Sequence, residues 1–182
     1  MAELKTYSST SSAERTKAVP CPICASSHTA RVWTTQGVLF VRCAVCGLWR
    51  QNPQPVQEDL LLRYGDEYLA YEMDRQLDYR RISLQSLAQA GLHADRAGGS
   101  LLEVGCATGA LLAAFRDGGW DVVGVEAGAA MAEYARKHWN IDVRHGTLES
   151  SHMQAESVDA FVATHLIEHL NDPRSFLREA RR

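Results

Sequence analysis

The sequence predicts an α/β chain: a doubly wound sheet, incomplete at four strands, behind a small cysteine-rich β module. Three observations carry this reading. The run Leu101-Leu-Glu103-Val-Gly105-Cys-Ala107-Thr-Gly109-Ala-Leu-Leu reads as a buried strand, a small-residue turn and a helix start. The run Trp120-Asp-Val122-Val123-Gly124-Val125-Glu126 reads as a second buried strand that also ends in an acid. Four of the five cysteines form two Cys-x2-Cys pairs, Cys21/Cys24 and Cys43/Cys46, with eighteen residues between the pairs.

Residues 1–18 read as a disordered tail, polar and Ser/Thr-rich up to Lys17, with no secretory leader pattern. Residues 19–52 are the cysteine module. Each pair can wrap one side of a tetrahedral ion, with the thiolates turned inward by a tight knuckle. Between the pairs, Ala30 to Thr34 and Val38 to Arg42 alternate like two short strands joined at Gln36-Gly37. The expectation is a zinc ribbon in which Cys21, Cys24, Cys43 and Cys46 fill the shell. A four-thiolate shell leaves no open position, so the zinc is expected to be structural. A redox pair and an iron-bound site are the competing readings. Cys106 has no partner, and reads as a small residue filling the glycine turn.

Residues 53–98 read as a linker with lid helices. Asn52-Pro53-Gln-Pro55 breaks any helix, Glu58 to Arg63 can form a short one, and Met73 to Leu92 carries apolar residues at near-helical spacing. Between them, Tyr64 and Tyr68 have two readings. They pack the module onto the core, or they present aromatic faces to a cationic ligand.

A net charge of −3 over 182 residues, with an isoelectric point near 6.2, argues against a large nucleic-acid footprint. No apolar run reaches membrane-span length, so no membrane contact is expected. Together with the clustered cysteines, this points to a reducing cytoplasmic setting.

The turn after Leu101 decides what the sheet of residues 99–182 holds. A dinucleotide fingerprint would fall on Gly105, Ala107 and Ala110, with one glycine of three. An acid-x-G-x-G-x-G pattern fits better, on Glu103, Gly105, Ala107 and Gly109. This resembles the first motif of the class I S-adenosylmethionine-dependent methyltransferases, with Ala107 where the family usually has glycine. The segment Ser157-Val-Asp159 through His165-Leu-Ile-Glu168-His169-Leu-Asn-Asp172-Pro173 resembles that family's fourth strand and following loop. A packing junction without a ligand is the alternative for the turn alone.

The resemblance implies a Rossmann-like doubly wound sheet and S-adenosylmethionine as cofactor. Glu103 would face the ammonium end of the ligand, with Gly105, Ala107 and Gly109 forming the cradle. Glu126 lies at the interval expected of an acid that accepts from ribose hydroxyls. Adenine would meet the Thr147 hydroxyl or the Leu148 backbone, with Glu149 a weaker candidate. His165 is a cofactor-side contact. His165, Glu168 and His169 are also candidates for the base that an oxygen nucleophile needs, although Glu168 and His169 can equally fix the loop. The implied reaction is methyl transfer to a small-molecule or carrier-linked sugar or metabolite acceptor. The alternatives are an RNA methyltransferase whose ribbon contacts RNA, and a non-catalytic zinc-ribbon binding module. The family sheet has seven strands, and the sequence ends in the helix after the fourth. The expectation is a truncated domain whose exposed edge at Val158 to Ala163 favours self-association.

Overall fold

The computed structural model describes residues 15–96 and 98–182. The chain divides into two compact units, Met1–Leu60 and Leu61–Arg182. Residues 1–14 of the expected tail lie outside the described residues.

In the first unit, the tail expectation needs correcting for its last residues. β1 (Thr16–Lys17) pairs antiparallel with β5 (Gln54–Pro55). Arg15 secures this pairing, because its backbone N–H and its guanidinium both donate to the Asp59 carboxylate, at 2.6 and 2.7 Å. Asp59 sits in the first turn of the short helix α1 (Gln57–Leu61). The ribbon is a three-stranded antiparallel sheet of β2 (Thr29–Thr35), β3 (Val38–Cys43) and β4 (Trp49–Gln51). The third strand is not evident in the sequence, since three residues are too few to show alternation. Its Trp49 completes an aromatic cluster with Trp33 and Phe40, whose rings stack at 4.5 Å. Among the described residues of this unit, the buried apolar ones are Cys21, Val41, Cys43 and Pro55.

The second unit opens with α2 (Asp66–Gln89), which starts seven residues before the expected Met73 and ends before Leu92. Gly65 at the N-cap and acids at Asp66 and Glu67 favour the earlier start by complementing the helix dipole. Tyr68 therefore stands on the helix. The parallel sheet follows: β6 (Ser100–Val104), β7 (Asp121–Glu126), β8 (Asp142–His145) and β9 (Ala160–Val162), in spatial order β8-β7-β6-β9. The chain runs outward from β6 to β8, then crosses back to pair β9 on the other side of β6. A crevice opens at the carboxyl ends of the strands where the direction of winding reverses.

Alternation along β6 divides the core. Leu101 joins Leu112 and Phe115 of α3 (Ala110–Asp117) and Ala132 and Ala135 of α4 (Ala129–Trp139) in one cluster. Leu102 and Val104 join Val125, Leu148 and Phe176 of α5 (Pro173–Arg181) in the other. Apolar strands covered on both faces are what a parallel sheet requires. Asp172 caps α5 by accepting from the Ser175 N–H at 3.1 Å, with Pro173 in the first turn.

Gly124 of β7 leaves no room for a side chain. A Cβ there would meet Cys106 Sγ at 2.7 Å and Leu112 Cδ1 at 2.8 Å. Gly124→Ala is expected to cost about 1–3 kcal/mol through overpacking. A urea titration of the variant beside the parent checks this, and an unchanged midpoint would refute it.

Candidate functional site

The turn after β6 is held in an unusual conformation. Gly105, Ala107 and Gly109 all adopt positive φ, at 75°, 46° and 77°. Glycine takes such angles freely, but the alanine at 107 is strained by roughly 1–2 kcal/mol. Glu126, at the end of β7, offsets this. Its Oε2 accepts the Ala107 N–H at 2.9 Å and its Oε1 accepts the Gly128 N–H at 2.7 Å. The Gly105 N–H bonds the Val125 carbonyl at 2.8 Å. One carboxylate thus holds the turn after β6 and the start of α4 together.

Glu103 is the opposite case. It is 3% exposed, and its Oε2 has no donor among the described residues. Burial, with the nearby Glu126 carboxylate, raises its pKa to about 8. Burial raises Glu126 as well, although the N–H bonds from Gly128 and Ala107 work against that rise. Burial and these two acids also push the Cys106 thiol up, consistent with a packing role beside Gly124.

A cavity of about 380 Å³ opens beside the turn. Glu103, Gly105 and Ala107 form one wall, and Tyr68, Glu72 and Gln76 of α2 form another. The third wall follows β9, where Thr164, His165, Glu168 and His169 line the space. His165 has φ 52°, and its Nδ1 lies 3.7 Å from Glu168 Oε1. The cavity therefore gathers Glu103, Gly105, Ala107, Tyr68 and all three candidate bases.

Other residues singled out from the sequence stand outside its lining. Gly109 caps α3, where a Cβ would meet Ala135 and Ile141. Glu126 is 5% exposed behind the turn that it holds. Thr147 exchanges hydrogen bonds with Ser150, and Leu148 is part of the core. Tyr64 packs edge-on against Tyr68 at 5.3 Å. Glu72 and Gln76 were missed, because polar residues on a largely polar helix carry no sign of burial.

The cysteine module forms its own cluster. The four Sγ atoms lie within 4.8 Å of one another. Cys21 and Cys46 sulfurs are 3.4 Å apart, and those of Cys24 and Cys43 are 3.5 Å apart. A tetrahedral zinc with Zn–S bonds of about 2.3 Å needs sulfur separations of roughly 3.8 Å, so the donor set fits the ion. N–H groups of Cys46 and Val45 lower the Cys43 thiol to about 6. At Cys46, the Leu48 N–H favours the thiolate, but the sulfurs around it outweigh that and push it up to about 12. Four sulfurs so close together can all ionise only around a cation.

Residues 102–182 match the model of the methyltransferase domain family. The matched segment begins within β6 and so contains the glycine turn, Glu126 and the loop from His165 to His169. Curated relatives agree in name. The chain is 34% identical over 109 residues to a ubiquinone biosynthesis O-methyltransferase of Ruegeria pomeroyi, covering 56% of this chain and 44% of the relative. It is 28% identical over 136 residues to the enzyme of that name from Acinetobacter baylyi, covering 70% and 56%. The chain thus spans about half the length of the curated relatives it matches. Among solved structures, a candidate S-adenosyl-L-methionine-dependent methyltransferase from Methanococcus maripaludis superposes with a TM-score of 0.56 at 16% identity. That match covers 65% of this chain and 58% of the other, and it shows a shared fold. No helix among the described residues is long and apolar enough to cross a membrane.

Proposed function

We propose that this chain binds S-adenosylmethionine and takes part in methyl transfer to an oxygen of a small-molecule or carrier-linked acceptor. The observation that carries this is the glycine turn held by Glu126, beside a buried Glu103 whose free oxygen has no donor. A nucleotide-like ligand with a cationic end suits that pairing. The bound cofactor supplies a methyl group already activated by the sulfonium charge, so the chain's task is positioning and exclusion of water. Glu103 accepts from the ammonium end. The Gly105–Ala107 backbone permits close approach, and Glu126 keeps the cradle in shape from behind by accepting the Ala107 and Gly128 N–H groups. His165, steadied by Glu168, accepts the proton of an acceptor hydroxyl at the mouth of the cavity. The names of the curated relatives favour oxygen as the methylated atom. We read the cysteine cluster as a structural zinc site.

Isothermal titration with S-adenosylmethionine, with ATP and NAD as controls, tests the reading. A saturable heat in the micromolar range for S-adenosylmethionine alone is expected. No heat, together with no shift in the melting temperature, would overturn it.

A further inference from the structure

The wall contributed by α2 contains more hydrogen-bond acceptors than the chain itself can use. Glu72 is 8% exposed although it sits on a helix that is otherwise largely open to solvent. Its carboxylate takes one hydrogen bond, from the Tyr68 hydroxyl, and lies near the positive charge of Arg75. One turn further, the Gln76 amide nitrogen donates to the Met73 carbonyl at 3.2 Å and to the Tyr134 hydroxyl at 3.4 Å. Those two acceptors fix the orientation of the amide. Its Oε1 is then left buried with no donor among the described residues. Across the cavity, Glu103 Oε2 is in the same position, and that side chain is 3% exposed. Glu72, Gln76 and Glu103 all line the one cavity.

Buried acceptors without donors are costly, and carboxylates more so than amides. Two acceptors without donors, Gln76 Oε1 and Glu103 Oε2, face one space together with the Glu72 carboxyl, and two carboxyls able to ionise match a small group with several N–H donors and a positive charge. We propose that Glu72 and Gln76 of α2, together with Glu103, seat the α-ammonium group of S-adenosylmethionine. On this reading α2 grips the amino-acid end of the cofactor, and the helix is ordered against the domain by the ligand itself. The inference rests on the proposal above that the cavity takes S-adenosylmethionine. The spacing of Glu72 and Gln76, four residues apart, places both on one helix face, as a shared ligand requires.

The test compares ligands that differ in the amino-acid end. The whole chain is titrated with S-adenosylmethionine, with its decarboxylated form, which keeps the ammonium, and with 5′-methylthioadenosine, which lacks it. For the unaltered chain, 5′-methylthioadenosine is expected to bind at least roughly tenfold more weakly than the other two. Glu72→Gln is expected to weaken both ammonium ligands by roughly tenfold, and to leave 5′-methylthioadenosine within about twofold. Gln76→Leu should change them in the same direction. Equal weakening of all three ligands in both variants would mean a structural role and overturn the proposal, as would no change in either. If Mn2+ binds the unaltered chain, competes with S-adenosylmethionine and is lost in Glu72→Gln, the acceptors form a metal site, and the proposal fails. If the unaltered chain binds none of the nucleosides, the functional reading itself fails. That outcome is distinct from normal binding that Glu72 does not affect.

Discussion

Removing zinc from the Met1–Leu60 unit is expected to unfold its ribbon. On treatment with a strong chelator, amides of β2, β3 and β4 should lose their protection in hydrogen exchange, and metal analysis of the untreated chain should find one zinc per chain. The size of the effect follows from how little else holds these strands. Among the described residues of the unit, the buried apolar ones are Cys21, Val41, Cys43 and Pro55, and two of these belong to the cysteine cluster. Full burial of one such side chain contributes about 1.5–3 kcal/mol. A structural zinc contributes about 10–16 kcal/mol of apparent binding free energy in small modules at neutral pH, and nearly all of it is folding free energy. The Trp33–Phe40–Trp49 cluster adds cross-strand contacts, but Trp33 and Trp49 are 43% and 52% exposed, so they bury little. Cys43→Ser should reproduce the effect without a chelator, because the Val45 and Cys46 N–H groups would then face a hydroxyl in place of a thiolate. Strand protection that survives with the metal shown to be gone would refute the zinc reading.

The cysteine cluster could be read from the sequence because two Cys-x2-Cys pairs at this spacing are what a tetrahedral metal site requires. The sheet could be read because residues 101–104 and 122–125 are apolar except at Glu103, as strands covered on both faces must largely be. The cofactor wall was only half legible. Motif spacing identifies Glu103, Gly105 and Ala107, and all three line the cavity. It also picks out Glu126 as a ligand residue, but cannot reveal that its two oxygens hold the N–H groups of Ala107 and Gly128. Gly109 matches the motif too, yet it lies against Ala135 and Ile141, where the need is helix packing. Thr147 and Leu148 follow β8 as expected, but one closes a turn with Ser150 and the other fills the core. Glu72 and Gln76 could not be seen at all. A helix as polar as α2 gives no periodic signal for which of its polar residues face inward. Residues 15–17 were hidden for a similar reason: their order depends on Asp59, forty-four positions away from Arg15.

Without ligand, the chain is expected to lose stability as pH rises from about 5 to 8, and the slope should belong mainly to Glu103. The sign follows from proton linkage. Glu103 titrates near its ordinary value of 4.5 when unfolded and near 8 when folded. Below 4.5 both states hold the proton. Between the two values the folded state keeps a proton that the unfolded state has released, so stability falls with pH, and it levels off above 8. The loss is on the order of 5 kcal/mol, because the pKa rises from 4.5 to about 8 and each unit is worth about 1.4 kcal/mol. Asp159 and Asp172 have lowered pKa values and act in the opposite direction, but their contribution is complete by about pH 5. Glu126 is raised, so it adds to the same slope. Urea midpoints at pH 5, 6.5 and 8 measure the loss. Glu103→Gln should flatten the profile and leave the variant more stable than the parent at pH 8. The same variant should bind S-adenosylmethionine more weakly, since the ammonium loses its anionic partner. The two effects have one cause: a carboxylate kept in an apolar, donor-free position weakens the empty fold and becomes useful only when a cation arrives. Binding near pH 6.5 should therefore release a proton from Glu103, seen as a difference in titration heat between phosphate and Tris buffers. Equal heats in the two buffers, together with an unchanged pH profile in Glu103→Gln, would show that this carboxyl is not the group that meets the ligand.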